Sequence, residues 1–157
     1  MSKIKDAFKN GKAFIPFITA GDPDLQVTEN LILGMDKNGA DLIEIGIPFS
    51  DPVAEGVVIQ AADMRALKAG VTTDKIFEMV GRVSPLCSCP LVFMTYINPV
   101  YVYGIDKFMQ KCRDNGISGI IVPDVPYEEK DELKPYCDKY GVELVSLIAP
   151  TSHETIR

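Results

Sequence analysis

The chain has 157 residues, 46% of them apolar, which is the size and composition of one ordinary domain with a substantial core. Sixteen basic against 22 acidic residues give a net charge of −6 and a pI near 4.8, which argues against nucleic acid as a partner, because a phosphate-backbone binder presents clustered Lys and Arg. No apolar run approaches the ~20 residues of a membrane span. Residues 1–6 lead into charged residues instead of an apolar signal core, so a cytoplasmic protein with no membrane contact is expected.

In chain order, two kinds of segment alternate. The first apolar run, residues 14–19, reads as a buried parallel strand, and Asp22-Pro23-Asp24 then opens a helix through Val27, Leu31 and Met35. A second strand is expected over 42–46. After it comes an insertion from Pro48 to about Ala69, and then Thr73-Asp74 starts a helix with Ile76, Met79, Val80 and Val83 on one face. A strand over 91–95 precedes a helix marked by Ile105, Phe108, Met109 and Cys112. A strand over 119–122 precedes Pro126 and a helix marked by Leu133, Tyr136, Cys137 and Tyr140, and a fifth strand is expected over 143–149. Strand starts recur about every 25 to 28 residues, with one gap of about 49, which makes a βα ladder with one long insertion. Such a ladder builds either an open doubly wound sheet or a (β/α)8 barrel, and the absence of Gly-x-Gly-x-x-Gly and Walker motifs weakens the nucleotide-binding sheet.

Cysteine and histidine contribute little chemistry. Cys87-Ser88-Cys89 lacks the Cys-x2-Cys spacing of a metal site, while Cys112 and Cys137 fall on apolar helix stripes, so reduced thiols are expected. No role is assigned to the lone His153.

In both architectures ligands sit at the C-terminal ends of the strands. Glu44 stands out there, a carboxylate amid Leu42, Ile43, Ile45 and Gly46, where burial should raise its pKa toward the range useful for general acid/base catalysis. A structural carboxylate bonded to a loop amide or a Lys is an equal alternative on these grounds. The next loop, residues 48–56, is stiffened by Pro48 and Pro52 and carries Asp51 and Glu55; Glu55 could face Glu44 and divide acid and base roles with it, though solvated loop carboxylates are the commoner outcome. Rim groups also come from residues 19–23, 96–99 and 123–126. Phe17, Met94, Tyr96, Ile121 and Leu147 could line an apolar pocket, although core is the default for all but Tyr96, whose hydroxyl needs a partner if buried.

The stretches Phe14-Ile15-Pro16-Phe17-Ile18-Thr19-Ala20-Gly21-Asp22-Pro23 and Leu42-Ile43-Glu44-Ile45-Gly46-Ile47-Pro48-Phe49-Ser50-Asp51-Pro52-Val53-Ala54-Glu55-Gly56 closely resemble the tryptophan synthase alpha chain. Tyr96-Ile97-Asn98-Pro99 and Pro123-Asp124-Val125-Pro126 fall at that family's third and fourth strand ends, and the resemblance runs along the whole chain. It implies a (β/α)8 TIM barrel lyase that cleaves indole-3-glycerol phosphate into indole and glyceraldehyde 3-phosphate. By the same resemblance, Glu44 would be the proton-shuttling acid/base and Glu55 the carboxylate that binds the indole N–H. Phe17, Met94, Tyr96, Ile121 and Leu147 would form the indole pocket.

Asp51, Pro52 and Asn98 would lie toward a beta chain in an alpha2beta2 assembly. That partner takes the indole and carries pyridoxal phosphate, so the alpha chain has no cofactor or metal of its own. Two residues depart from the family pattern: Glu55 stands where Asp is usual, and Val57 replaces a proline. A complete barrel needs about 250 residues, so residues 1–157 correspond to one domain holding about the first five βα units, without the strands that bind phosphate. The alternative from a different class is a non-catalytic fragment or module that engages the beta chain through the 48–56 loop. A stand-alone lyase without a beta partner is a third reading.

Overall fold

The structure is a computed structural model, and it describes residues 3–149. Five strands, β1 (Phe17–Thr19), β2 (Ile43–Gly46), β3 (Leu91–Met94), β4 (Ile117–Ile121) and β5 (Glu143–Val145), form one sheet in the order β1-β2-β3-β4-β5 with every pairing parallel. Strand order follows chain order without the reversal that marks a doubly wound sheet. With helices between successive strands, this is the architecture of the first five βα units of a (β/α)8 barrel.

Seven α-helices accompany the strands: α1 (Lys3–Asp6), α2 (Leu25–Lys37), α3 (Val57–Lys68), α4 (Thr73–Val83), α5 (Ile97–Tyr103), α6 (Ile105–Asp114) and α7 (Lys134–Tyr140). Their starts follow local chemistry. The Asp24 side chain accepts from Val27 N–H at the head of α2, and the Thr72 hydroxyl from Lys75 N–H at the head of α4. At the far end of α7, Gly141 takes the left-handed conformation that closes a helix.

Strand alternation sorts the sheet into two faces. Ile43, Ile45, Leu91, Phe93 and Ile120 point to the helices and join the larger core with Ile32, Ile76, Phe77, Val80, Phe108 and Cys112, all at most 2% exposed. Phe77 and Phe108 pack edge to face at 5.2 Å between ring centroids, and Phe77 meets Phe93 at 5.5 Å. The opposite face carries two rows fixed by the register. One is Phe17, Glu44, Val92, Gly119 and Glu143; the row nearer the strand ends is Thr19, Gly46, Met94, Ile121 and Val145. Below them Ile4 of α1 and the following Ala7 pack against Leu42, Val92 and Ile121, closing that end of the concave face.

Several local expectations change. The first and last strands are shorter than the apolar runs: Phe14 is 58% exposed ahead of β1, where Pro16 offers no N–H to the ladder, and β5 ends at Val145. In α2 the buried positions are Thr28 and Ile32, while Leu31 faces solvent. In α7 the stripe narrows, with Leu133 and Cys137 buried and Tyr136 exposed; residues Tyr127–Glu132 form a 3-10 helix ahead of it. The 48–69 insertion is a loop followed by α3, and α5 occupies a stretch read as rim loop. Cys87 and Cys89 are half-buried and Cys112 and Cys137 buried, all four as free thiols. Among the described residues no group of three His, Cys, Asp or Glu is placed to hold a metal, and no helix is long and apolar enough to cross a membrane. His153 lies outside the described residues.

Candidate active site

The concave face at the C-terminal ends of β1 to β4 gathers most of the singled-out residues. Glu44 stands in the deeper row between Phe17 and Val92. Its carboxylate is half-buried, and no hydrogen bond or ion pair from the described residues reaches it. Burial alone raises its pKa above the ordinary value. Among the described residues no amide or Lys therefore ties the Glu44 carboxylate as a structural role would require. Gly46, two residues on, is needed for space: a Cβ there would come within 2.6 Å of Phe17 Cζ, so the Phe17 ring lies across the Gly46 backbone. Met94 and Ile121 continue the row beside it.

Glu55 reaches the site by a different route. Tyr96, 3% exposed at the end of β3, donates its hydroxyl proton to the Glu55 carboxylate while accepting N–H bonds from Ala54 at 2.8 Å and Val53 at 3.2 Å. Its ring packs on Phe49 at 5.5 Å between centroids. Burial, followed by the bond to Glu55, raises the Tyr96 pKa. Tyr96 thus finds the partner its hydroxyl requires and pins both ends of the 49–55 segment. Glu55 is bonded to Tyr96, and no contact joins it to Glu44.

The other expected members are spread along the rim. Asp51 is exposed and accepts from the neighbouring Ser50 hydroxyl, Pro52 is half-buried, and Asn98 is exposed in the first turn of α5. Leu147 lies beyond the end of β5 and is 57% exposed. A separate cavity of about 810 Å³ opens beside β4, β5 and α7, and neither Glu44 nor Glu55 lines it.

Three further polar residues belong to the site, Asp63 outside the expected rim segments and Asp124 and Thr19 within them. Asp63 on α3 is 5% exposed; burial, then the charges of Glu55 and Asp22, push its pKa up to about 6, against the pull of a Phe49 N–H bonded to it. The spacing of Ala62, Asp63 and Ala66 on one helix face was the available sign. Asp124 accepts from Ile97 N–H at 3.0 Å and 3.2 Å and so caps α5 from the next strand end. Thr19, 8% exposed, completes the outer row on β1. Nearby, Asp22 and Arg65 form a two-armed ion pair at 2.7 Å, and the Arg65 bond holds the Asp22 pKa below its usual value against the upward push of burial.

The comparisons with known proteins agree with this fold. A family profile described as tryptophan synthase alpha chain matches residues 3–157. The tryptophan synthase alpha chain of Lacticaseibacillus casei is 49% identical over 156 residues, and that of Petrotoga mobilis 48% over 154. These alignments take in 99% and 98% of this chain but 59% and 60% of the relatives, so the chain spans about three-fifths of their length. Tryptophan synthase subunit alpha from Legionella pneumophila superposes with a TM-score of 0.93 at 38% identity, covering 98% of this chain and 62% of that one. A chain from a tryptophan synthase complex of Pyrococcus furiosus superposes with a TM-score of 0.85 at 40% identity, covering 91% and 59%. On sequence and structure alike, the chain belongs to the tryptophan synthase alpha chain family.

Proposed function

We propose that the protein containing this chain is a lyase of tryptophan biosynthesis that performs the retro-aldol cleavage of indole-3-glycerol phosphate to indole and glyceraldehyde 3-phosphate. The observation that carries the reading is Glu44: an unpartnered, half-buried carboxylate with a raised pKa on the concave face of a barrel strand. Such a group, its pKa moved upward by burial, is suited to take up a proton and return it to a substrate. Cleavage requires a proton at the indole C3 and removal of one from the adjacent side-chain hydroxyl, and Glu44 serves both transfers. Glu55, directed by Tyr96, binds the indole N–H and stabilises the positive charge that C3 protonation creates on the ring. Phe17, Met94, Tyr96, Ile121 and Leu147 form the indole pocket, in which the first four stand on or next to the two concave rows.

The chemistry needs only proton transfer and electrostatic stabilisation, so the chain takes no cofactor. Indole passes to a beta chain carrying pyridoxal phosphate, in an alpha2beta2 assembly that Asp51, Pro52 and Asn98 help to form. Support comes from the Pyrococcus furiosus relative, described as part of a tryptophan synthase a2b2 complex, and from the outward position of Asp51 and Asn98. We read residues 1–157 as one domain and place the protein in the cytoplasm, where four free thiols are stable.

Release of indole from indole-3-glycerol phosphate tests the reading directly. The protein at its natural length is expected to turn over, and Glu44→Gln to abolish turnover while leaving binding intact; normal turnover by Glu44→Gln overturns the role. A second reading, a non-catalytic module that engages the beta chain through residues 48–56, draws on the exposed Val53, 80% accessible at the loop tip. The same assay on the 157-residue chain, with gel filtration beside a beta chain, separates the two. Binding without turnover favours the module.

A further inference from the structure

The concave face holds a second polar group that the fold does not use. The hydroxyl of Thr19 is the only buried side-chain polar atom among the described residues without a hydrogen-bond partner. The other buried threonines are satisfied. Thr28, 1% exposed, accepts from Gly21 N–H at 2.8 Å and donates to the Asp24 carbonyl at 3.0 Å, and the Thr95 hydroxyl donates to the Tyr96 carbonyl at 3.3 Å. An unpaired buried hydroxyl costs stability, and valine would fill the same space without it. Such a group is a sign of a ligand atom that belongs there.

Its surroundings identify the ligand atom. Thr19 pairs with Gly46 in the row above Glu44, where the absent Gly46 side chain leaves the Phe17 ring lying across the strand. Residues placed diagonally by two positions on neighbouring parallel strands have Cα atoms about 8 Å apart, within which one oxygen can bond to both side chains. Glu44 is itself unpartnered, whereas Glu55 is occupied by Tyr96. Two orphan polar groups thus lie on the same face of adjacent strands, on either side of the Phe17 ring.

We propose that Thr19 is a substrate-contacting residue whose hydroxyl donates a hydrogen bond to the substrate oxygen that Glu44 deprotonates. The assignment rests on the retro-aldol reading. In that step the O–H proton passes to the Glu44 carboxylate and the oxygen becomes a carbonyl. The C–C bond breaks, and its electron pair returns to the C3-protonated indole ring, leaving neutral indole. Thr19 keeps its own proton throughout. Its donated bond orients the oxygen toward Glu44 and takes up charge as the proton leaves.

The test uses Thr19→Val and Thr19→Ser in the protein at its natural length, with indole release and thermal melting measured beside the wild type. Thr19→Val is expected to lower kcat by roughly 10- to 100-fold, the scale of losing one well-placed donor, with a smaller change in KM. Its melting temperature should match or exceed that of the wild type, and Thr19→Ser should recover most of kcat. Wild-type turnover by Thr19→Val overturns the proposal. Failure of the wild type itself to release indole overturns the lyase reading instead. Melting gives a separate check on Thr19: a Thr19→Val protein less stable than wild type shows an internal partner for the hydroxyl and ends the proposal.

Discussion

The two faces of the sheet are built from the same strands, one residue out of step, and they obey different rules. On the helix-facing side Ile43, Ile45, Leu91, Phe93 and Ile120 are at most 1% exposed and wholly apolar. On the concave side the same strands present Glu44, Thr19, two glycines and the half-buried Glu143 among Phe17, Val92 and Met94. Stability is concentrated in one parity and polar chemistry in the other. Substitutions on the helix-facing parity should therefore lower stability and leave the chemistry of the folded fraction alone. Those on the concave parity should do the reverse.

The sharpest way to break this division is Glu44→Gln. If Glu44 moves both protons, indole release should fall by roughly 10³-fold or more, the upper range for a general acid/base. Because burial raises the Glu44 pKa, the uncharged amide should leave the denaturation midpoint unchanged or higher. A large loss of stability would place Glu44 with the structural parity. Phe93→Ala is the converse. It removes a fully buried ring that meets Phe77 and Phe108, and urea denaturation should show a loss of about 3–5 kcal/mol.

Asp63 tests the boundary between the two regimes through pH. Its folded pKa of about 6 lies above the ordinary 3.8, so between those values the folded state retains a proton that the unfolded chain has given up. The associated stability is full below pH 3.8 and is lost as pH rises through about 6, a change on the order of 1–3 kcal/mol. Asp63→Asn should flatten that part of the denaturant-midpoint curve. An unchanged slope would show that another group titrates there.

The smallest effect is expected at Tyr96→Phe. It keeps the ring against Phe49 but removes the acceptor of Val53 and Ala54 and the donor to Glu55, for about 1 kcal/mol and faster hydrogen exchange confined to residues 53–55. Exchange rising across the whole sheet instead would make Tyr96 a member of the general core.

Much of this was legible in the sequence because the signals are local. Runs such as Leu91 to Met94 and the stripe Ile76, Met79, Val80, Val83 declare strand and helix by periodicity, and Glu44 declares itself by contrast with its neighbours. What escaped depends on distant residues. Helix α5 carries Pro99 in its first turn and takes its cap from Asp124, 27 positions on, so nothing nearby announces it. The attachment of Glu55 to Tyr96 spans 41 positions, and the isolation of the Thr19 hydroxyl is a property of everything around it. The Phe14 run misled for a local reason, since hydrophobicity continues through Pro16 but the ladder does not.

The seat of the first helix has a bearing on how the molecule assembles. Ile4 of α1 fills the hollow left by Gly119, where a Cβ would approach the Ile4 Cδ1 to 2.6 Å, so α1 completes its seat beside Leu42 and Val92 only when β4, more than a hundred residues later, is in place. Most other pairings join neighbouring units and can form as the chain lengthens. Docking of α1 must close a long loop first, an entropic delay that makes it a late event in folding. The order of synthesis and the order of consolidation therefore differ for α1, and a chain halted before β4 would carry that helix only partly seated.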